Sequence, residues 1–311
     1  MACYSPLKGW KDPDNGGLIF KRPTRGREEQ MDVACGQCLG CRTDRALMWA
    51  MRIVHESTLH EDAYGNCFIT LTYQDRADAT PEQLKKGYYL PEDGSLNKKH
   101  FQKFIKRLRK EFPQRIRYFH CGEYGEQTHR PHYHACLFNV DFNDCVVWKQ
   151  DEGLTTYASD TLQRLWPYGF STVGELNYDT AAYTARYCLK KITGHQAHDH
   201  YLRCDDYGVA FWITPEYVTM SLKPGIGRGW YEKYKNDVFP ADHTPIPGKG
   251  VVQLVPRYYE TILKNEDPDV HELVKDLRQK FIAEHGEDFT PQRLMDKYKV
   301  HKSKTNQRDK I

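Results

Sequence analysis

The sequence lacks a long hydrophobic run and any strong excess of one charge. No stretch of 18 apolar residues occurs in the 311 residues, and the N-terminal segment MACYSPLKGW has no cationic stretch followed by an apolar one. We therefore expect neither a membrane span nor a secretory signal, and we expect the chain to stay in the cytosol where it is made. The formal net charge is only +3, so the overall charge does not by itself require a polyanionic partner.

Two further absences narrow the function. The chain has no internal repeat, and its segment PGIGRGW lacks the lysine and hydroxyl residue of a phosphate-binding loop, so nucleotide hydrolysis is not indicated. The chain does contain ten cysteines and 21 tyrosines. In a reducing cytosol the cysteines are expected to be thiols or metal ligands. The tyrosine rings suit either packing or the stacking of bases.

Hydrophobic patterns divide the chain into three expected domains, which are residues 1–60, 61–200 and 201–311. The middle domain shows a β-α-β-β-α-β-α order of signals, with strands from residue 66 and over 116–121, 132–138 and 170–173, and helices over 98–112, 159–166 and 179–194. In the last domain, Pro268 and Pro291 each begin a helix, and a basic tail is expected to fray. This order predicts an α+β fold, an antiparallel sheet with helices packed on it, between a cysteine-rich N-terminal lobe and a mostly helical C-terminal region.

A histidine pair in the segment RPHYHACLF suggests a metal site. His132 and His134 alternate with Tyr133 along a predicted strand, so both imidazoles leave the same face about 7 Å apart. Two such nitrogens can share one metal ion. Glu123, at the end of the preceding strand, is the favoured third ligand, and the rivals are Glu126 and His120. A set of two nitrogens and one oxygen leaves positions open for a phosphate oxygen.

A tyrosine pair in the segment AAYTARYCLKK suggests a nucleophile. Tyr183 and Tyr187 are four residues apart in a predicted helix, which places them on one face, and Lys190 and Lys191 continue along that side. Packing of the helix on a sheet is the simpler explanation of this pattern taken alone. A phenol, with a pKa near 10, becomes useful when a metal withdraws charge from the phosphate and a cation favours phenolate.

The N-terminal cysteines form a second candidate metal site. Cys35, Cys38 and Cys41 have CxxCxxC spacing, and Cys3 is available as a fourth ligand. Four thiolates suit a structural Zn²⁺ ion. An iron–sulfur cluster and plain reduced thiols remain alternatives, because the second half of a usual pair of CxxC knuckles is missing.

Basic residues offer candidate contacts to DNA phosphates. The helix expected over 98–112 carries Lys103, Arg107 and Lys110, which face either solvent or phosphates. Arg228 in the PGIGRGW turn is a further candidate. Three histidines that follow the tyrosine helix are left without a role: His195, His198 and His200.

The order of these motifs resembles that of a known superfamily. FITLTY, HYH and a YxxxY helix follow one another as do the three motifs of HUH rolling-circle endonucleases. Four longer segments resemble the replication initiation proteins of gokushovirus-type Microviridae, over about residues 1–235: CGQCLGCR, GEYGEQTHRPHYH, LWPYGFSTVGELNYDTAAYTARYCLKK and SLKPGIGRGWYEKY.

This resemblance implies a function and a site. The protein would nick the replicative circle at its origin, stay covalently on the 5′ end, leave a 3′-hydroxyl primer and later religate the displaced strand. His132 and His134 match the metal-binding pair for Mg²⁺ or Mn²⁺, and Tyr183 and Tyr187 match the alternating nucleophiles. The resemblance does not fix the third ligand, so Glu123 stays a hypothesis.

The implied partners are single-stranded and origin DNA, together with a host helicase and polymerase in the cytoplasm of the bacterial host. No membrane partner is expected, and the oligomeric state is left open. Two other functions compete. A transposase or relaxase of the same superfamily would use the same chemistry on different DNA. A non-catalytic protein that binds single-stranded DNA would use the basic helix and the aromatic rings, but it has no need of paired histidines beside a two-tyrosine helix.

Overall fold

The structure is a computed structural model and describes residues 3–23, 30–125, 127–151, 154–187, 196–205 and 207–308. The chain divides into two compact units. One unit combines Met1–Leu47 with Leu263–Ile311, and the other is Met48–Ile262. No pattern in the sequence indicates that the two ends of the chain belong to one unit. The three-domain division stays a prediction.

The elements are numbered in chain order. The strands are β1 Leu7–Lys11, β2 Leu18–Ile19, β3 Met31–Val33, β4 Asn66–Thr72, β5 Arg117–Tyr124, β6 Pro131–Phe138, β7 Val146–Asp151, β8 Leu154–Ala158, β9 Ser171–Glu175, β10 Leu202–Cys204, β11 Ala210–Trp212, β12 Tyr217–Met220, β13 Thr244–Ile246 and β14 Gly250–Val252. The α-helices are α1 Leu39–Ser57, α2 Pro81–Lys86, α3 Lys98–Glu111, α4 Asp160–Leu165, α5 Tyr178–Tyr187, α6 Gln196–Tyr201, α7 Arg228–Val238, α8 Arg257–Glu266, α9 Pro268–Glu284 and α10 Pro291–Arg308.

The largest sheet has seven strands in the order β12-β5-β6-β4-β9-β8-β7, and all neighbouring strands are antiparallel. This sheet with its packed helices confirms the predicted α+β class. The sequence analysis missed the β7–β8 hairpin and strand β12. Every residue of β7 is exposed, so β7 lacks the alternation that reveals a half-buried strand. Strand β12 lies in the region beyond residue 200 that was expected to be mostly helical.

One face of this sheet carries the main hydrophobic core, and we call it the core face. Helix α3 buries one apolar stripe here, as its spacing predicts, and helix α4 adds Leu162 and Leu165. The stripe of α3 consists of Phe101, Phe104, Ile105 and Leu108. The strands contribute to the same core Cys67, Ile69, Leu71, Tyr133, Ala135, Leu137 and Val173. Because this face is filled with apolar side chains, functional groups are expected on the other face.

Helices α1 and α5 pack on the opposite face. The ring of Trp49 in α1 lies 4.9 Å from that of Phe119 in β5. In α5, the Thr184 hydroxyl lies 3.6 Å from the thiol of Cys136, which donates to it. Thr184 in turn donates to the Thr180 carbonyl at 2.9 Å. Helix α5 is therefore anchored to the middle of strand β6.

The C-terminal helices begin where the prolines predict. The side chain of Asp267 accepts a hydrogen bond from the Val270 amide and caps α9, and α10 begins at Pro291. The predicted fraying of the tail is wrong up to Arg308, because α10 continues to that residue. The Tyr4 hydroxyl bonds to the His301 ring at 2.8 Å and so ties this helix down. No helix among the described residues is both long and apolar enough to span a membrane.

Candidate active site

Three neighbouring strands place the predicted metal ligands in one part of the sheet. Glu123 of β5 lies directly opposite His132 of β6, and Thr72 of β4 lies on the other side of His132. Two residues along β6, His134 lies beside Thr70. Residues directly opposite each other in antiparallel strands share a face. These side chains therefore leave the same side of the sheet, opposite the core face, and we call it the site face.

The two imidazoles converge on one carboxylate oxygen. Oε1 of Glu123 lies 2.7 Å from Nε2 of His132 and 2.9 Å from Nε2 of His134. Behind the rings, Nδ1 of His132 donates to the Arg130 carbonyl at 3.0 Å, and Nδ1 of His134 lies 3.0 Å from the Thr70 hydroxyl. One ligand atom from each of the three residues lies within 4.8 Å of the other two. Rings held from behind in this way are typical of metal-binding histidines.

The protonation of His132 also fits a cation. Because Nδ1 carries the hydrogen that it donates to Arg130, Nε2 of the neutral ring carries a lone pair. A lone pair at 2.7 Å from a carboxylate oxygen is repelled unless a proton or a metal ion lies between the two atoms. The donor set of two imidazoles and one carboxylate is therefore compatible with a bound divalent ion.

Glu123 is held in its charged form. Its burial is nearly complete, at 2% exposure, and burial by itself would raise the pKa of the carboxyl group. Hydrogen bonds from His132 and His134 outweigh that effect, so the pKa of Glu123 lies below its ordinary value. A buried carboxylate that stays ionised is a suitable ligand for a hard cation.

The rivals of Glu123 differ in position. His120 lies on the core face, where its ring stacks on Phe101 at 3.3 Å between centroids and its Nδ1 bonds to Thr219 at 2.8 Å. Burial holds the pKa of His120 well below its ordinary value. The geometry thus brings Glu123 to the histidine pair and leaves His120 across the sheet. Glu126 lies outside the described residues.

Helix α5 brings a tyrosine to this cluster. Asn177 caps the helix by accepting hydrogen bonds from the amides of Asp179 and Thr180. A stripe of small residues faces the sheet and lets the helix approach it closely: Ala181, Thr184 and Ala185, all nearly fully buried. Tyr183 lies beside this stripe and is half-buried. Its ring centroid lies 5.1 Å from that of His134, edge to face.

This arrangement changes the packing explanation of the tyrosine motif. Alanines and a threonine, and not Tyr183, form the buried stripe, so Tyr183 is available at the cluster. Tyr187 is the last residue of α5, one turn further on, and its side chain is outside the described part. Lys190 and Lys191 lie outside the described residues. Sequence reasoning missed Arg186, whose guanidinium lies 5.9 Å from the Tyr183 ring, although a spacing of three residues predicts such a neighbour.

The predicted phosphate-binding residues of α3 do not join this cluster. Helix α3 covers the core face, where Lys103 and Lys110 are exposed to solvent. Arg107 is half-buried, and its Nε donates to the Leu165 carbonyl at 2.8 Å, so it links α3 to α4. His198 and His200 are exposed in α6. His195 lies outside the described residues.

The glycines of PGIGRGW are explained by packing. A Cβ on Gly225 would lie 2.5 Å from the Tyr258 hydroxyl, and one on Gly227 would lie 2.5 Å from that of Tyr259. The amide of Gly227 also donates to the buried carboxylate of Glu56 at 2.7 Å. Arg228 forms an ion pair with Glu232 at 2.6 Å. Its contact with DNA stays a prediction.

The four N-terminal cysteines converge as their spacing suggests. One Sγ atom from each of Cys3, Cys35, Cys38 and Cys41 lies within 4.8 Å of the other three, and the pair Cys3–Cys38 is 4.0 Å apart. All four are free thiols. The amides of Tyr4 and Cys35 donate to the sulfurs of Cys38 and Cys3, each at 3.3 Å. Zn–S bonds of about 2.3 Å require sulfurs roughly 3.8 Å apart, so this cluster is compatible with a metal ion.

The chain is similar to several replication proteins of phages. A family model of the replication-associated proteins of the ORF2 type matches residues 66–192. The Replication-associated protein ORF2 of Spiroplasma virus 4 is 33% identical over 299 residues, which cover 90% of this chain and 86% of that protein. The Replication-associated protein VP4 of Bdellovibrio phage phiMH2K is 32% identical over 272 residues, covering 86% and 79%. No solved structure is significantly similar to the chain.

The matched segment contains the whole candidate site. Residues 66–192 include the strands that carry Glu123, His132 and His134 as well as the helix that carries Tyr183. The similarity to the Spiroplasma virus 4 protein extends over nine tenths of the chain. The chain therefore belongs to the replication-associated protein family of phages, which confirms its resemblance to rolling-circle replication initiators.

Proposed function

We propose that the protein nicks origin DNA with a tyrosine nucleophile, stays on the 5′ phosphate and later religates the displaced strand as a circle. The observation that carries this proposal is the position of Tyr183, whose ring lies 5.1 Å from that of His134 on the site face. A nucleophile and a metal-binding cluster on one face are what phosphoryl transfer to a side chain requires.

The cluster of Glu123, His132 and His134 would hold Mg²⁺ or Mn²⁺. Such an ion, when bound, withdraws charge from a phosphate oxygen and orients the phosphate. The chain's own contribution is to fix the ligands: Arg130 and Thr70 hold the two rings from behind, and the sheet holds all three ligand-bearing strands in register. Three protein ligands leave room for the substrate.

The nucleophile step balances without a further reactant. The phenol oxygen of Tyr183 attacks the phosphorus, the bond to the 3′-oxygen breaks, and the proton lost by the phenol ends on that 3′-oxygen. The guanidinium of Arg186, near the ring, favours the phenolate. The bond energy is kept in the phosphotyrosine, so a 3′-hydroxyl can reverse the reaction. Tyr187 would perform the second cut, and Lys190 and Lys191 would add positive charge next to the two tyrosines.

The remaining partners follow from this chemistry. Lys103 and Lys110 would attract DNA phosphates, with a smaller share for Arg107, which already bonds to Leu165. The sequence contains no nucleotide-binding lysine loop. We therefore assign strand separation to a host helicase and synthesis to a host polymerase, in the cytoplasm of the bacterial host where a phage replicates its DNA.

The four-cysteine cluster would hold a structural Zn²⁺ ion. Burial by itself would raise the pKa of the Cys38 thiol, but hydrogen bonds from the amides of Cys41 and Tyr4 lower it to about 7. All-thiolate sites with four protein ligands are typical of structural zinc. A zinc ion here would tie Cys3, at the N-terminus, to the start of helix α1, which contains Cys41.

The nucleophile assignment is tested by trapping the covalent intermediate. Incubation with a labelled single-stranded origin oligonucleotide and Mn²⁺ should give a heat-stable protein–DNA adduct, and mass spectrometry should locate it on Tyr183 or Tyr187. The double variant Tyr183→Phe and Tyr187→Phe should form no adduct. Tyr178→Phe is the matched control, since Tyr178 begins the same helix and should leave the adduct unchanged. An adduct of full yield in the double variant would refute the assignment.

A further inference from the structure

The site face extends beyond the metal cluster to two exposed aromatic rings. Phe170, which precedes β9, is 42% exposed, and Trp148 in β7 is 60% exposed. Their ring centroids lie 4.9 Å apart. A Cβ on Gly169 would come within 2.5 Å of the backbone oxygen of Thr72. This close approach to β4 fixes the position of the neighbouring Phe170.

Phe170 lies in the same row of the sheet as the metal cluster. Its carbonyl accepts from the amide and the hydroxyl of Thr72, at 2.9 and 2.8 Å. Thr72 is paired on its other side with His132. Two strand spacings therefore separate Phe170 from His132, which is about 10 Å. Alternation along β9 places Phe170 on the same face as Thr172, which is paired with Thr70 of the site face.

The opposite end of the row is closed. Strand β12 begins with Tyr217 opposite Gly122, so the preceding Glu216 falls next to Glu123. Glu216 is buried, and its carboxylate accepts a hydrogen bond from the buried hydroxyl of Tyr201. Over the part of the chain that the structure describes, the row is acidic and covered at one end. It is aromatic and exposed at the other.

We propose that Trp148 and Phe170 form a stacking platform for the bases of single-stranded DNA next to the scissile phosphate. The platform deepens the proposed function and rests on it, because it assumes that the phosphate is bound at His132. A separation of about 10 Å corresponds to roughly three base rises of 3.4 Å. Aromatic side chains stack on any base, so the platform binds single strands with little sequence preference.

The charges of the hairpin favour bases over phosphates as the bound group. Lys149 in β7 forms an ion pair with Asp151, so this pair adds no net positive charge beside Trp148. The exposed area also argues against a second protein. A whole aromatic side chain buries about 150–250 Å², whereas a specific protein interface needs about 1,000 Å². A pair of partly exposed rings falls well short of that.

The platform is tested by binding of a fluorescein-labelled dT12 oligonucleotide to the full chain in EDTA, which prevents cleavage. Trp148→Ala and Phe170→Ala should each weaken the binding of dT12 roughly ten-fold, and leave binding of a 12-base-pair duplex unchanged. The dependence of affinity on salt should stay the same, because no phosphate contact is removed. Trp148→Phe should recover most of the affinity.

Val147→Ala is the matched control. Val147 is the neighbouring apolar residue, 63% exposed, but it is paired with Tyr157, whose partner Val173 belongs to the core face. An unchanged dT12 affinity in Trp148→Ala, or an equal loss in Val147→Ala, overturns the platform. A changed oligomeric state of Trp148→Ala in light scattering, with dT12 affinity intact, overturns it in favour of a contact between copies.

The experiment separates the platform from the nuclease proposal. Binding in EDTA does not depend on Tyr183 or on a metal ion, so the platform fails or stands on dT12 affinity alone. Absence of a covalent adduct in the wild-type protein would refute the nuclease proposal, and with it the placement of the phosphate at His132. Both rings are exposed, so the variants should keep the wild-type thermal midpoint, which verifies that they fold.

Discussion

The two ligand clusters of the chain differ in composition and in support. The cluster of Glu123, His132 and His134 is built on paired strands of the seven-stranded sheet, and the His132 side chain at its rim is 20% exposed. The cysteine cluster joins Cys3 to residues 35–41, just before and within the start of α1. One offers three mixed ligands on a rigid sheet, and the other offers four sulfurs.

The difference indicates two different roles. A site with three protein ligands leaves a coordination position open for substrate, whereas a site with four thiolates is closed and stabilises the fold. The sheet-borne cluster should therefore affect catalysis with little effect on folding. The cysteine cluster should affect the folding of its own unit with little effect on catalysis. The following variants test each half of this comparison.

The largest effect is expected from the open cluster. Glu123→Gln removes the charge of one ligand without changing its shape and should slow nicking of a single-stranded oligonucleotide by roughly 10³-fold, since a metal contributes several kcal/mol to the barrier. The thermal midpoint should change little. Glu175→Gln is the matched control, because Glu175 is exposed at the end of β9. Nicking by Glu123→Gln at the wild-type rate would remove Glu123 from the site.

The closed cluster should give the opposite result. Cys38→Ser should lower the bound zinc from about one ion per chain to near zero. Hydrogen exchange of residues 30–47 should become fast, because the metal that orders them is lost. Cys204→Ser is the control, since Cys204 is exposed in β10. Zinc content that is unchanged in Cys38→Ser would exclude this site.

Acid should destabilise the larger unit through a residue that belongs to neither cluster. Burial lowers the pKa of His55 to about 4, and its ring stacks on Trp230 at 3.5 Å. Between pH 6.5 and 4 the unfolded chain takes up a proton that the folded chain does not. The free energy of unfolding therefore falls as pH falls, by about 3 kcal/mol in total for this group.

Urea unfolding at pH 6.5 and pH 5 measures this effect. The wild-type protein should lose about 2 kcal/mol more than His55→Gln over that interval, because only the wild-type chain carries this titrating group. Equal losses in the two proteins would show that His55 is not held neutral by the fold.

The smallest effect is expected when the nucleophile helix is displaced and both clusters stay intact. Ala181 is fully buried where α5 meets the sheet, so Ala181→Leu should cost about 1–3 kcal/mol of stability. It should also slow nicking about ten-fold or more by moving Tyr183. Ala182→Leu is the matched control, since Ala182 is only half-buried. A Mn²⁺ affinity reduced together with nicking would contradict the separation of helix and cluster.

The sequence predicts the site better than it predicts the sheet around it. Alternation along β6 places His132 and His134 on one face, because the side-chain period of a strand is fixed. The choice between Glu123 and His120 depends on the register of β5 against β6, which is set by long-range pairing and not by local pattern. Likewise, only the packed structure shows that α5 lies on the sheet through Ala181, Thr184 and Ala185.

The features that the sequence did not predict are those without local periodicity. Strand β7 is exposed throughout, so nothing distinguishes it from a polar loop. The grouping of residues 1–47 with 263–311 involves contacts between segments more than 200 residues apart, and no single-sequence pattern reports them. The glycines of PGIGRGW suggest a ligand loop, yet at Gly225 and Gly227 they are required by two tyrosine hydroxyls.

The central claim is that one cluster serves catalysis and the other serves the fold. Treatment of the native protein with a chelating resin, followed by metal analysis and a nicking assay, tests it directly. Our account predicts that about one zinc per chain remains, that nicking is lost, and that added Mn²⁺ restores nicking in the wild-type protein but not in Glu123→Gln. Full nicking activity after chelation, or restoration by Mn²⁺ in Glu123→Gln equal to that of the wild type, would contradict it.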